Sequence, residues 1–205
     1  MAANPRISRS HILAILLSAL YLVAIVNEWH SLKYSLKPTV TLLIAYPTSK
    51  PPIPRKIFHG LLFSTLGDIF LMLPLDQTFI PGLVSFLIAH ILYIQAFGKP
   101  RRVIWWMAAP YALFAAVMLG LLSSGVGKEG WVVQVGVVVY VGVICFMAFC
   151  ALMTGRIILV VGTVLFCVSD SVLAWNKFLQ VYAWGEFVVM LTYYAAQLCI
   201  ALGHC

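Results

Sequence analysis

Charge is what this sequence has least of. Only 9% of its 205 residues are Asp, Glu, Lys or Arg, and the acids number six. Soluble domains carry roughly a quarter charged residues. With 63% hydrophobic residues and a mean hydropathy of +1.02, the chain has more apolar surface than a core of this size can enclose. A soluble globular domain is therefore excluded, and the bilayer is the solvent that fits. Other absences narrow the chemistry. The five cysteines (Cys145, Cys150, Cys167, Cys199, Cys205) form no C-x-x-C pair and read as small hydrophobes. His11, His30, His59, His90 and His204 never fall at i, i+3 or i+4 spacing, so no metal site and no cofactor is expected. There is no G-x-S-x-G elbow and no P-loop. Thirteen Lys and Arg give a net charge of +7, but no basic stripe interleaves with aromatics, so nucleic acid is not an expected partner.

What remains is apolar. A spanning helix takes ~20 residues, so eight use ~160 and leave loops of ~5. Charge, Pro and Gly mark off eight runs: approximately His11–Trp29, Lys37–Pro47, Lys56–Leu73, Pro81–Gly98, Val103–Leu122, Trp131–Met153, Ile157–Trp175 and Trp184–His204. The expected fold is all-α, one transmembrane domain of eight helices over residues 1–205. The first run could mimic a signal peptide after Arg6 and Arg9, but no small-x-small cleavage site follows it. The second opens on Lys37-Pro38, with Pro in a first turn where its missing N–H costs little. It either borrows Tyr34 to Leu36 or stays a short, tilted span.

Cations fall on alternate loops. Arg6, Arg9, Lys50, Arg55, Lys56, Lys99, Arg101, Arg102 and Arg156 share one side with no acid. Lys33, Lys37, Lys128 and Lys177 balance Glu28, Asp76, Glu129 and Glu186 on the other. The positive-inside rule then sets both termini in the cytoplasm, as an even helix count also requires.

Two acids are left inside apolar runs, Asp68 and Asp170. Each lies ~20 Å from the cytoplasmic edge at 1.5 Å per residue, in the outer half of the membrane. Each follows a small residue, Gly67 or Ser169, with a glycine eight before, Gly60 or Gly162. The offset of 102 residues, and one of 103 between Gly82 and Gly185, suggest a parallel four-plus-four helix repeat with the aspartates facing across a pseudo-two-fold axis. A charge within a span costs at least a few kcal/mol and points to function. Two carboxyls sharing a site supply one neutral acid and one carboxylate, the arrangement of acid/base catalysis. The alternative for each is a hydrogen-bonded packing residue. Asp170, with Ser169, Ser171, Asn176 and Lys177 beside it in sequence, reads as the carboxylate; Asp68, among Leu66, Ile69, Phe70 and Leu71, reads as the proton donor. His90 and Tyr93 share a face of the fourth helix, and Tyr193 and Gln197 on the eighth are their counterparts.

The same residues carry a resemblance. Lys37-Pro38, the run from Gly60 through Gly67-Asp68 to Leu71, Gly82 through His90 to Phe97, Phe166 through Ser169-Asp170 to Asn176-Lys177-Phe178, and Tyr193-Tyr194-Ala-Ala-Gln197 resemble the lysoplasmalogenase family, the YhhN-like multipass proteins. The resemblance covers most of the chain; the first helix and Val103–Met153 match in hydrophobicity alone. It implies a membrane hydrolase that cleaves the vinyl ether of lysoplasmalogens to a fatty aldehyde and glycerophosphocholine or glycerophosphoethanolamine. Its partners would be that lysophospholipid and the membrane lipids, in a bacterial plasma membrane or the endoplasmic reticulum. Asp68 and Asp170 are then the expected catalytic residues. Lys37, His90, Asn176, Lys177, Tyr193, Tyr194 and Gln197 are the expected substrate-binding set, with Lys37 or Lys177 holding the phosphate at the outer mouth. A transporter using the same aspartates for protons or cations is the alternative reading, opposed by the absence of broken helices at matching midpoints. An intramembrane aspartyl protease is opposed by the missing Pro-Ala-Leu motif.

Overall fold

The computed structural model describes residues 7–98 and 103–204, apart from the side chain of Asp76. Arg6, Lys99, Arg101, Arg102 and Cys205 lie outside the described residues. Eight α-helices follow one another: α1 Arg9–Val26, α2 His30–Thr48, α3 Arg55–Met72, α4 Phe79–Ala96, α5 Ala109–Val126, α6 Trp131–Thr154, α7 Ile157–Phe178 and α8 Gly185–Leu202. No strand occurs among the described residues. The starts and stops are local chemistry. Ser8 caps α1, its Oγ accepting from the His11 N–H while His11 Nδ1 accepts from the Ser8 N–H, a capping box with His in the usual Glu position. Gly155 ends α6 at φ +69°, a left-handed conformation that side chains disfavour.

The environment is written on the outside of the bundle. Leu13, Leu16 and Val23 of α1, Leu113 and Val117 of α5, and Val135 and Val138 of α6 are exposed. Faces this apolar need lipid, not water. Exposed aromatic side chains gather at the ends: Trp29, Trp131 and Trp184 at one, Trp105, Trp106 and Tyr46 at the other. This is the interfacial aromatic belt of a membrane protein. Six of the eight helices are long and apolar enough to cross a membrane. The other two, α2 and α3, have the length but carry the polar residues that the bundle interior uses.

Two differences from the sequence expectation fall on α2. It borrows not three residues but seven, starting at His30. Pro38 therefore sits in the helix interior and not in a first turn. The missing N–H leaves the carbonyl four residues back without its helical partner. Lys37, expected at the helix's opening, is two turns inside it and mostly buried.

The helix neighbours repeat. The hairpins α3–α4 and α7–α8 are the most closely packed pairs, α2 packs on α3 as α6 does on α7, and α4 meets α6 as α8 meets α2. Small residues set those approaches. A Cβ on Gly60 would strike the Tyr93 ring, and one on Gly162 would strike Cys199 on α8. Asp68 and Asp170 are each the fourteenth residue of their helix. The copies differ in α1, which packs on α8, and α5, which packs on α7.

Candidate active site

Asp68 is 2% exposed and fully engaged. Tyr193 of α8 donates its hydroxyl to Oδ2 at 2.7 Å, and Thr41 of α2 donates to the same oxygen at 3.2 Å. Lys37 Nζ stands 3.7 Å from Oδ1. Three helices thus converge on one carboxylate whose charge is balanced by a buried cation. Such a pair is strongly destabilising to break, because the surviving charge is left without a partner.

Asp170 is built differently. Tyr140 of α6 donates a short hydrogen bond to its Oδ2, and no cation pairs with it among the described residues. Half-buried, it forms part of the wall of a cavity of about 280 Å³ between α4, α5, α6 and α7. The rest of that wall is mainly aliphatic and aromatic, with Leu83, Phe86, Phe114, Met118 and Ile144 among its members. Lys177 lines it where α7 ends, with Nζ 5.3 Å above the Phe79 ring. A carboxyl group facing a mainly apolar space, with the exposed Lys177 ammonium also in its lining, has the chemistry to take an amphiphile.

The two carboxyls stand in different surroundings. Asp170 lines the cavity and Asp68 does not; the two have no common hydrogen-bond donor among the described residues, yet each is near enough to feel the other's charge. Aromatic rings stand in the space between. Phe166 packs against Tyr193 at 5.5 Å and His90 at 4.7 Å, and His90 against Tyr140 at 5.3 Å, between ring centroids. The polar sequence neighbours of Asp170 bond elsewhere. Sequence neighbours made Asp170 look polar, but Ser169 donates to the Val189 carbonyl and Ser171 to the Cys167 carbonyl. Asn176 accepts from the Tyr182 N–H in the α7–α8 turn. Side chains on a helix bond along it or to the next helix, so adjacency in sequence is not adjacency in space. Asp68 is the carboxyl with a cation beside it, and Asp170 is the one that borders the cavity.

The remaining expected residues divide between the two halves. Tyr93 donates to Gln197 Oε1 at 2.8 Å and meets Ser64 at 3.2 Å, tying α3, α4 and α8 together at the centre of the bundle. His90 is fully buried beside Tyr140, with neither ring nitrogen hydrogen-bonded. Tyr194 packs edge-on to Tyr21 and lines a separate groove between α1, α2 and α8. Lys37 is consumed by Asp68 and Asn176 by its turn, whereas Lys177 faces the cavity. Tyr140 was missed by the sequence reading because its helix is otherwise a Val-rich run. The available signal was the repeat: Tyr140 follows Lys37 by 103 residues, as Gly185 follows Gly82. No group of three or more His, Cys, Asp or Glu able to hold a metal occurs among the described residues.

Comparison with known proteins finds relatives along most of the chain. The lysoplasmalogenase TMEM86A of Homo sapiens is 33% identical over 174 residues, covering 78% of this chain and 67% of that protein. The lysoplasmalogenase TMEM86B of Homo sapiens is 34% identical over 168 residues, 70% of this chain and 60% of that protein. The TMEM86A of Bos taurus is 32% identical over 170 residues, 74% of this chain and 65% of its own. The chain thus spans about two thirds of the length of these relatives. No solved structure matches it. The profile of the YhhN family matches residues 12–204. Over nearly its whole length, this chain belongs to the YhhN family.

Proposed function

We propose that this protein hydrolyses the vinyl ether bond of lysoplasmalogens, releasing a fatty aldehyde and glycerophosphocholine or glycerophosphoethanolamine. The observation that carries the reading is the Asp170 carboxyl, held by Tyr140, in the wall of an apolar cavity that ends at Lys177. The relatives named lysoplasmalogenase supply the substrate class.

The chemistry follows from the bond. A vinyl ether resists nucleophiles but yields to a proton delivered to its β-carbon. Asp170, as the neutral acid, transfers that proton and becomes a carboxylate facing the oxocarbenium ion at the α-carbon. Water adds there and returns its proton to Asp170. The hemiacetal then collapses to aldehyde and alcohol. Glycosidases handle an oxocarbenium-like state with carboxyl groups in the same manner. The single alkenyl chain occupies the apolar part of the cavity, and Lys177 meets the phosphate.

Purified protein in detergent, given lysoplasmalogen, should release aldehyde in an enzyme-coupled dehydrogenase assay. The saturated alkyl-ether analogue should be inert, having no double bond to protonate. Absence of aldehyde, together with gradient-driven lipid movement in reconstituted vesicles, would replace the hydrolase reading with the transporter one.

A further inference from the structure

The two aspartate sites are copies with different fates. Asp68 to Asp170 is an offset of 102 residues, Lys37 to Tyr140 is 103, and His90 to Tyr193 is 103. These offsets have a spatial counterpart. Lys37 on α2 reaches Asp68 on α3, and Tyr140 on α6 reaches Asp170 on α7. Tyr193 on α8 completes the first site, and His90 on α4 lies against Tyr140 of the second. Tyr93 of α4 and Gln197 of α8 hydrogen-bond directly to each other and tie the two halves together.

We infer that the chain holds two copies of one three-residue aspartate site, only one of which reacts. Tyr140–Asp170, backed by His90, is the reacting copy. Lys37–Asp68–Tyr193 is a neutralised clamp joining α2, α3 and α8. The difference lies in what replaced what. Where the Asp68 copy has a lysine 3.7 Å from its carboxyl, the Asp170 copy has a phenol that can hydrogen-bond to either form of the acid. One copy is sealed, at 2% exposure of its aspartate; the other opens on the cavity, with Tyr140 also in the wall. Tyr140 is therefore a further active-site residue, placed to touch substrate and to orient the acid. Asp68 acts only by holding helices.

The inference rests on the hydrolase reading for its activity readout but not for its chemical one. A hydrophobic carbodiimide, dicyclohexylcarbodiimide, adds across its C=N bond to a protonated carboxyl with no leaving group, and ion-paired carboxylates do not react. Peptide mapping of the wild-type protein in detergent should find the adduct on Asp170 and not on Asp68. Adduct on Asp68, alone or equally with Asp170, would overturn the inference, whatever the substrate proves to be. Tyr140→Phe should change the rate of that labelling several-fold at an unaltered melting temperature, a shift that a merely structural tyrosine would not cause. The variants then separate the copies. Asp68→Asn alone leaves Lys37 unpaired and should lower the melting temperature. Lys37→Met combined with Asp68→Asn removes both charges, and should restore it and keep aldehyde release within about tenfold of wild type. A double variant that melts like wild type yet is as inactive as Asp170→Asn would give Asp68 a chemical role and sink the idea. Should the double variant fail to fold, the wild-type labelling pattern still decides. A wild type that labels at Asp170 but releases no aldehyde would leave the duplication standing and remove the hydrolase reading.

Discussion

At the residue scale, the two aspartates differ in how each carboxyl is surrounded. Asp170→Asn is nearly isosteric, and an amide can still accept from Tyr140, so the variant should fold and insert normally. It should lose activity by about 10²–10⁴-fold, the usual worth of general acid catalysis. A size-exclusion profile beside the aldehyde assay checks both halves, and near wild-type turnover would discard Asp170 as the acid. Lys177→Met tests the mouth of the cavity. A hydrogen bond to a charged group contributes about 1.5–3 kcal/mol, so KM should rise at least tenfold while kcat holds, the pattern of lost uniform binding. Lys37→Met should not mimic it, because Lys37 is turned to Asp68 and not to the cavity.

At the element scale, helix pairing depends on a few positions without side chains. Gly60 sits where a Cβ would meet Tyr93, and Tyr93 is the residue that ties Ser64 to Gln197. Gly60→Val should cost about 1–3 kcal/mol by overpacking and loosen the centre of the bundle, read as a lower melting temperature in detergent. Gly125→Val should be worse, since its Cβ would collide with the Phe178 carbonyl, backbone that cannot turn aside. Gly120 has open space around it and faces outward. Gly120→Ala should be neutral or stabilising by up to ~1 kcal/mol through helix propensity. Equal damage at Gly60 and Gly120 would show that small residues are not setting the approach. The eight elements were legible because apolar runs and punctuation are local properties. The start of α2 was not. Lys33 and Lys37 looked like a loop, yet each is drawn to an acid on another helix, Glu186 at 2.9 Å and Asp68 at 3.7 Å.

At the scale of the whole molecule, the charge distribution predicts its orientation. Lys50 and Arg156 lie at the end that carries the termini, where Arg156 also bonds the Gly203 carbonyl. Lys128 lies at the opposite end, in the α5–α6 turn. Single cysteines introduced as Lys50→Cys and Lys128→Cys should react with a membrane-impermeant maleimide from opposite faces, Lys128→Cys from outside intact cells. Labelling of both from one face would contradict the alternation of the helices, and labelling with the faces exchanged would reverse the orientation. The sequence by itself determined the environment, the number of helices, and the two acids, because hydrophobicity, Pro and Gly act over one or two turns and a buried charge is conspicuous among apolar neighbours. The repeat was visible too, as a spacing of 102 or 103 residues. Only the tertiary structure decided which aspartate is balanced and which is free. That depends on Lys37, Thr41, Tyr140 and Tyr193, which come from α2, α6 and α8, and a hydrogen bond between helices leaves no periodic trace in either one.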